Sequence, residues 1–98
     1  SDVALKFIEN YHKIYGTDTD PNDIVALNYD AVYLLKLAIE NAQSLDRTAV
    51  RDGMKSITTY DGVTGSMKFD NGNGDPTKSA VIIQISDGQF KYLDTIEP

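Results

Sequence analysis

The chain has 98 residues, and nine Lys and Arg stand against fifteen Asp and Glu, so its formal net charge is −6. This acidic balance argues against binding to nucleic acid or to anionic membranes, since both require a basic surface. Cysteine is absent, which excludes disulfide bonds, thiol catalysis and zinc–thiolate sites. No apolar run is long enough to span a bilayer, and no signal segment opens the sequence, so the signal of an exported form is expected outside it.

The start of the chain predicts an amphipathic helix, because its apolar residues recur at helical spacing. These residues are Ala4, Phe7, Ile8, Tyr11, Ile14 and Tyr15. Gly16 is the expected C-terminal stop of this helix. A second helix is predicted from about Asn22 to Gln43, with Asp20 as its cap and Pro21 in its first turn.

The second predicted helix is apolar over much of its circumference, which suggests burial against more than one neighbour. Its apolar residues are Ile24, Leu27, Ala31, Leu34, Leu35, Ala38, Ile39 and Ala42, and its wetter stripe holds Tyr29, Tyr33, Lys36, Glu40 and Gln43. A third, shorter helix is expected after Asp46, with Val50, Met54 and Ile57 on its buried side. Gly53 is a weak point in that helix, since glycine disfavours helical backbone.

The second half of the chain changes to the patterns of strands and turns. Residues 66–69 alternate polar and apolar side chains, and residues 70–76 are dense in turn-forming types. Ala80 to Ser86 is a predicted strand, and Asp87-Gly88 predicts a two-residue hairpin that places Ile85 opposite Phe90 and Ile83 opposite Tyr92.

The order of these elements predicts an α/β fold with about three helices, followed by about three strands that include a C-terminal hairpin. Residues 1–98 are interpreted as a single domain or fragment, mainly helical over residues 1–58 and mainly β over residues 59–98.

Catalytic and metal sites find little support in the residue pattern. His12 is the only histidine and lacks the partners of a zinc site or a catalytic triad, so a surface or boundary role is expected. The acidic loop from Asp70 to Asp75 has Gly72 and Gly74 where a calcium-binding loop needs oxygen ligands. We therefore expect no cofactor, no metal and no enzymatic activity.

Three residues near the start of the second predicted helix allow both a structural and a functional interpretation. Asn28 falls on the apolar stripe, where a buried amide needs a hydrogen bond, for example to a neighbouring loop. Its alternative role is at a ligand cleft. Tyr29 shares a face with Ala26 and Tyr33, and such tyrosines either cover the edge of a core or line a small-molecule pocket.

Two segments in the middle of the chain carry a family resemblance: residues 28–35 (NYDAVYLL) and residues 60–65 (YDGVTG). With flanking segments in the same order, they resemble the carboxy-terminal end of the extracytoplasmic binding proteins of branched-chain amino-acid ABC transporters. The other matching segments are residues 7–11, 15–16, 42–44, 50–52, 69–70, 78–85 and 87–92. The resemblance extends from Phe7 to Pro98, and because these receptors are far longer, the chain looks like a fragment of one.

The resemblance implies two α/β lobes of the type 1 periplasmic-binding-protein fold, with an amino acid held in the cleft between them. It places the first two helices in the amino-terminal lobe and the final strands at the return to the other lobe. Of this chain, only the region from Ala26 to Tyr29 would border the cleft, as the ligand-binding residues Ala26, Asn28 and Tyr29. Ala26 is small where some relatives carry a large residue, which puts its contact with ligand in doubt.

The expected partners are an amino acid, bound by the full-length parent only, and the permease of the ABC transporter. The expected location is the periplasm or, for a lipoprotein, the cell surface. The isolated chain is expected to bind no ligand and to form a homodimer, because its apolar second helix needs a cover. The alternative function is a small self-associating protein-interaction module.

Overall fold

The computed structural model describes residues 1–97, and Pro98, the last residue of the family resemblance, lies outside them. Three α-helices precede five short β-strands: α1 (Asp2–Tyr15), α2 (Asp23–Ala42), α3 (Arg47–Lys55), β1 (Thr59–Gly62), β2 (Gly65–Lys68), β3 (Thr77–Lys78), β4 (Ala80–Ser86) and β5 (Gln89–Ile96). The predicted α/β class is confirmed, with helices first and strands last. The additional strands are β1 and the two-residue β3. Both pair with β2, which lies between them and corresponds to the predicted strand pattern of residues 66–69.

The ends of α1 and α2 are set by local capping. Gly16 follows α1 with φ of 87°, so it is the predicted stop. The N-cap of α2 is Asn22, whose Oδ1 accepts a hydrogen bond from the Val25 amide at 3.0 Å. The prediction of Asp20 as cap and Pro21 in the first turn is therefore wrong, because the Asp20 carboxylate instead contacts His12 Nε2 at 2.8 Å.

Helix α3 packs on α2 and follows Asp46 as predicted, and the Asp46 carboxylate caps it by accepting hydrogen bonds from the amides of Thr48 and Ala49. Ile57, just after α3, and Ala38 of α2 are both buried. Gly53 lies in close contact with α2: a Cβ there would sit 2.2 Å from the Ala38 carbonyl oxygen. Gly53 is therefore a requirement of packing, which corrects its interpretation as a weak point of the helix.

The first sheet has the antiparallel order β1-β2-β3 and packs Met67 into the core. Tyr60 pairs with Met67, and the β1–β2 turn closes where Gly62 pairs with Gly65. The loop between β2 and β3 is the predicted turn region. Asn71 stabilises it by donating from Nδ2 to the Asp75 carbonyl at 2.8 Å and by accepting from the Asn73 amide.

The C-terminal hairpin forms a second, two-stranded sheet, and its predicted pairs Ile85–Phe90 and Ile83–Tyr92 are confirmed. A β-bulge between Ile82 and Ile83 interrupts the ladder further from the turn. One face of the hairpin remains exposed and apolar, with relative exposures of 56% for Ile83 and 80% for Phe90. Such a face needs a partner to be stable in water, since an isolated hairpin is marginal.

The hairpin turn gives the first testable prediction. Asp87 and Gly88 have φ of 55° and 73°, as a type I′ turn requires. We expect Gly88→Val to lower the free energy of unfolding by about 1–3 kcal/mol, because a β-branched residue resists positive φ. Gly88→Asn is the matched control, since asparagine tolerates this conformation. Equal urea midpoints for the two variants would contradict this account of the turn.

Candidate functional site: a buried carboxylate between two sequence motifs

Asp30 is the one charged residue in the core of the described chain, with 1% of its surface exposed. It lies on α2, and its carboxylate faces the turn between β1 and β2. Oδ1 accepts a hydrogen bond from the Val63 amide at 2.8 Å, and Oδ2 accepts from the Thr64 amide at 3.0 Å. Oδ2 also accepts from the Thr64 hydroxyl at 2.6 Å, and the Tyr60 hydroxyl approaches Oδ1 at 3.4 Å. We call this arrangement the Asp30 clasp.

The clasp resolves the cost of burying a carboxylate. An unpaired buried charge is strongly unfavourable, but hydrogen bonds to the charged form offset that cost. Both carboxylate oxygens are satisfied here, and no buried side-chain polar atom in the described residues lacks a partner.

Gly62 allows the turn to come this close to α2. A Cβ at this position would lie 2.4 Å from Asp30 Oδ1 and 2.6 Å from Oδ2. Real Cβ atoms essentially never approach an oxygen so closely, and both the carboxylate and the turn are held by their mutual hydrogen bonds. The absence of a side chain at Gly62 is therefore a steric condition for the clasp.

The clasp extends to β3 through Thr64. Lys78 Nζ donates a hydrogen bond to Thr64 Oγ1 at 2.6 Å, while the same hydroxyl donates to Asp30. One hydroxyl thus connects the helix carboxylate with the ammonium group of the last residue of β3. Ser79 follows Lys78 directly and is the covalent link to β4 of the hairpin.

The sequence contained both halves of the clasp, but its interpretation missed their contact. Asp30 lies in the first matching segment and Val63-Thr64 in the second, about thirty residues apart. The available signal was a carboxylate within an apolar helix, together with a glycine-bounded turn whose amides need acceptors. Periodicity gave no reason to join them, because it reports neighbours within an element only.

Burial and the nearby Asp30 carboxylate raise the pKa of the Tyr60 phenol to about 12, and the hydrogen bond to Asp30 acts in the same direction. The folded protein therefore holds this proton to higher pH than the unfolded chain, whose phenol titrates near its ordinary value of 10. The associated stability is complete below that value and is lost as the pH rises through about 12.

The second prediction follows from this titration. We expect the free energy of unfolding of the wild-type chain to fall between pH 10 and pH 12, and Tyr60→Phe to flatten that fall because it removes the titrating group. Urea unfolding at several pH values in this window measures the slope. Tyr92→Phe, at an exposed position of the hairpin, is the control for the loss of a phenol hydroxyl. A wild-type slope in Tyr60→Phe would contradict the assignment.

The three predicted ligand-binding residues take different positions in the structure. Asn28 and Tyr29 line an open groove of about 430 Å³ between α1 and α2, whereas Ala26 is not part of its lining. The groove is largely aromatic: the Tyr29 ring lies 4.8 Å from that of Phe7 and 4.7 Å from that of Tyr33, centroid to centroid. Tyr29 is thus packed against α1 and half-buried, although it was placed on the wetter stripe of α2.

Asn28 and His12 both have partners that the sequence interpretation did not identify. Asn28 is exposed and donates from Nδ2 to the Ile24 carbonyl of its own helix at 2.9 Å, rather than to a neighbouring loop. His12 lies at the boundary of the surface, as predicted, with 24% of its side chain exposed. Its partner, Asp20, is eight residues away in the sequence, beyond the i, i+4 spacing at which side chains of one helix meet.

A second open groove, of about 730 Å³, lies between α3 and the loop after β2. It contains none of the three predicted ligand-binding residues. Across residues 1–97, no group of three or more His, Asp or Glu side chains is placed to hold a metal ion. Over the same residues, no helix has both the length and the apolar character that a membrane crossing requires.

Comparison with known proteins gives results for families and for solved structures. A family model described as "Periplasmic binding protein" matches residues 1–89. No curated protein matches the sequence. Among solved structures, the leucine-binding protein LivK from Thermotoga maritima MSB8 is 35% identical with a TM-score of 0.80, over 100% of this chain and 27% of its own.

A second solved structure is the ABC transporter substrate-binding protein from Desulfitobacterium hafniense in complex with Leu. It is 33% identical with a TM-score of 0.76, over 95% of this chain and 27% of its own. The chain thus spans 27% of the length of each of these two structures. The predicted resemblance, and with it a binding protein rather than an enzyme, is confirmed: the chain belongs to the periplasmic binding protein family.

Proposed function

We propose that the chain is the carboxy-terminal part of an extracytoplasmic receptor that delivers a branched-chain amino acid to an ABC transporter. The observation that carries this proposal is the similarity, along the whole chain, to a leucine-binding protein. A second similar structure is a complex with leucine. At identities of 33–35%, these relatives make a related aliphatic amino acid the first ligand to test.

In this proposal, Asn28, Tyr29 and Ala26 border the ligand cleft near the start of α2. The aromatic groove beside Asn28 and Tyr29 supports an apolar contact surface there. Binding the charged ends of an amino acid also needs convergent polar groups. Those groups are expected in the part of the receptor that precedes this chain.

The proposed partners and location follow from the same role. A receptor of this kind hands its amino acid to the membrane-embedded permease of its ABC transporter. It works outside the cytoplasm, either free in the periplasm or attached to the cell surface as a lipoprotein. The acidic charge of the chain is compatible with this role, since no nucleic acid or anionic membrane surface has to be bound.

Calorimetry tests the proposed function directly. The complete receptor that contains this sequence should bind leucine, isoleucine or valine saturably, at micromolar concentration. The isolated chain of 98 residues, titrated in parallel, should show no binding because it lacks the upstream polar groups. A complete receptor that binds none of the three amino acids would overturn the proposal. Micromolar binding by the isolated chain would show that the polar groups needed for binding do not lie upstream of it.

Self-association of the isolated chain is the third prediction, and it is also the basis of the alternative function as an interaction module. The exposed apolar face of the hairpin supports it, since such a face favours association. We expect a homodimer by sedimentation at tens of micromolar, formed by packing or exchange of the C-terminal strands. Phe90→Lys, on the apolar face, should give a monomer.

The matched control for Phe90→Lys is Gln89→Lys, because Gln89 is exposed and pairs with the uncharged Ser86 on the opposite face of the hairpin. This control should remain a dimer. A wild-type chain that sediments as a monomer contradicts the prediction. Equal behaviour of the two lysine variants would place the association elsewhere, for example on α2.

A further inference from the structure

We propose that Asp30 is a positioning residue: through Thr64 and Lys78, its carboxylate fixes the point from which the C-terminal hairpin starts relative to the start of α2. The inference rests on the proposed function, since it assigns to the clasp a role in ligand affinity. Asp30 itself is buried and is not proposed to touch the ligand.

The first step of the argument is the position of Asp30 in the helix. Asn28 and Tyr29, which are proposed to border the cleft, directly precede it. Consecutive residues of a helix share one rigid backbone, so a fixed Asp30 side chain also fixes the rotation of α2 about its axis. Two amide hydrogen bonds of 2.8 and 3.0 Å, one to each carboxylate oxygen, provide that fixation.

The second step is the connection from Thr64 to the hairpin. Within the described residues, β4 pairs only with β5, and β3 belongs to the other sheet, so the two sheets share no strand. Their covalent link is Ser79, a single residue between β3 and β4. The residue before this link, Lys78, is paired with Met67 of β2, so its place in the first sheet sets where the hairpin starts.

The third step is the connection between the side chain of Lys78 and α2. The Lys78 ammonium group donates to Thr64 Oγ1 at 2.6 Å, and this hydroxyl donates to Asp30 Oδ2 at 2.6 Å. The lysine is half-buried, so its hydrogen bond is less exposed to competing water than one at the surface. The chain Lys78–Thr64–Asp30 therefore transmits the position of α2 to the start of the hairpin.

The test compares three variants of the complete receptor. Asp30→Asn keeps the shape of the side chain but replaces one acceptor oxygen with an NH2 group, which cannot accept a hydrogen bond from the amide of Val63 or Thr64. Thr64→Val removes the hydroxyl and both of its hydrogen bonds, while the two backbone bonds to Asp30 remain. Gly53→Ala disturbs the packing of α2 on α3 away from the clasp, and so serves as a destabilised control.

Two quantities are measured for each variant: the leucine Kd by calorimetry and amide hydrogen exchange over residues 63–80. We expect Asp30→Asn and Thr64→Val to weaken leucine binding by about tenfold, a typical size for coupling between sites. Exchange over residues 63–80 should accelerate in both. Gly53→Ala should lower the melting temperature with a Kd within about twofold of wild type.

The inference is overturned if Thr64→Val and Asp30→Asn keep the wild-type Kd while losing stability, as the control does. If Asp30→Asn does not fold, Thr64→Val alone decides the question. If the wild-type receptor binds none of leucine, isoleucine and valine, the proposed function fails, and hydrogen exchange then decides the positioning role separately. If Thr64→Val then leaves amide hydrogen exchange over residues 63–80 unchanged, the positioning role of Asp30 is rejected.

Discussion

Replacing Asp30 by alanine is expected to lower the free energy of unfolding by about 2–5 kcal/mol. The substitution removes the acceptor for the amides of Val63 and Thr64 and for the Thr64 hydroxyl. Each donor left without a partner in a buried site costs about 1–3 kcal/mol. Urea unfolding, followed by circular dichroism, measures the change.

The control for this substitution is Asp23→Ala, which removes an exposed carboxylate from the first turn of the same helix. Asp23→Ala should lower the free energy of unfolding by less than about 1 kcal/mol, the usual limit for a charge near an exposed helix end. If both variants lower the free energy of unfolding by a similar amount, the hydrogen bonds of the buried Asp30 carboxylate contribute no more to stability than an exposed carboxylate does. That result would contradict the stabilising role of the clasp.

Replacing Gly53 by alanine is expected to destabilise the chain by about 1–3 kcal/mol, the usual range for overpacking. The new methyl group would lie 2.2 Å from the Ala38 carbonyl oxygen and 3.2 Å from the Ala42 Cβ, so the two helices must separate. Intrinsic propensity alone predicts the opposite sign, since alanine is favoured over glycine in a helix by about 1 kcal/mol. The sign of the change in unfolding free energy therefore separates the two interpretations.

Arg51→Ala is the control on the same helix, because Arg51 is exposed and forms a surface salt bridge with its neighbour Asp52. Exposed ion pairs contribute little to stability, so this variant should unfold within about 1 kcal/mol of wild type. If Gly53→Ala proves more stable than the wild type, the close approach of α2 and α3 is not the constraint that the packing indicates.

The elements that could be predicted from sequence are those that depend on local chemistry. The hairpin was predicted with its register, because positive φ at two successive residues fixes both turn and pairing. The cap of α3 at Asp46 has the same local origin. The start of α2 near Asn22 was predicted, but its cap was not, because Asp20, Pro21 and Asn22 all suit a helix start and the Asp20 carboxylate contacts His12 instead.

The clasp could not be predicted in this way, because Val63 and Thr64 follow Asp30 by 33 and 34 residues in the sequence. Periodicity and turn chemistry describe the helix and the turn separately, and neither states which acceptor the turn amides will find. Gly53 was misjudged for the same reason: its helix propensity is local, whereas its proximity to Ala38 arises only when α2 and α3 pack. The groove beside Tyr29 likewise depends on how α1 lies against α2.

The close approach of Asp30 and Gly62 makes the residue types that are allowed at these two positions depend on each other. As long as position 30 carries an aspartate that binds the turn, position 62 has no room for a side chain. Substitution at either position alone is penalised, whereas a joint replacement that removes the carboxylate also removes the steric demand for glycine. We therefore expect positions 30 and 62 to change together in relatives of this chain, although a helix, a strand and loops lie between them in the sequence.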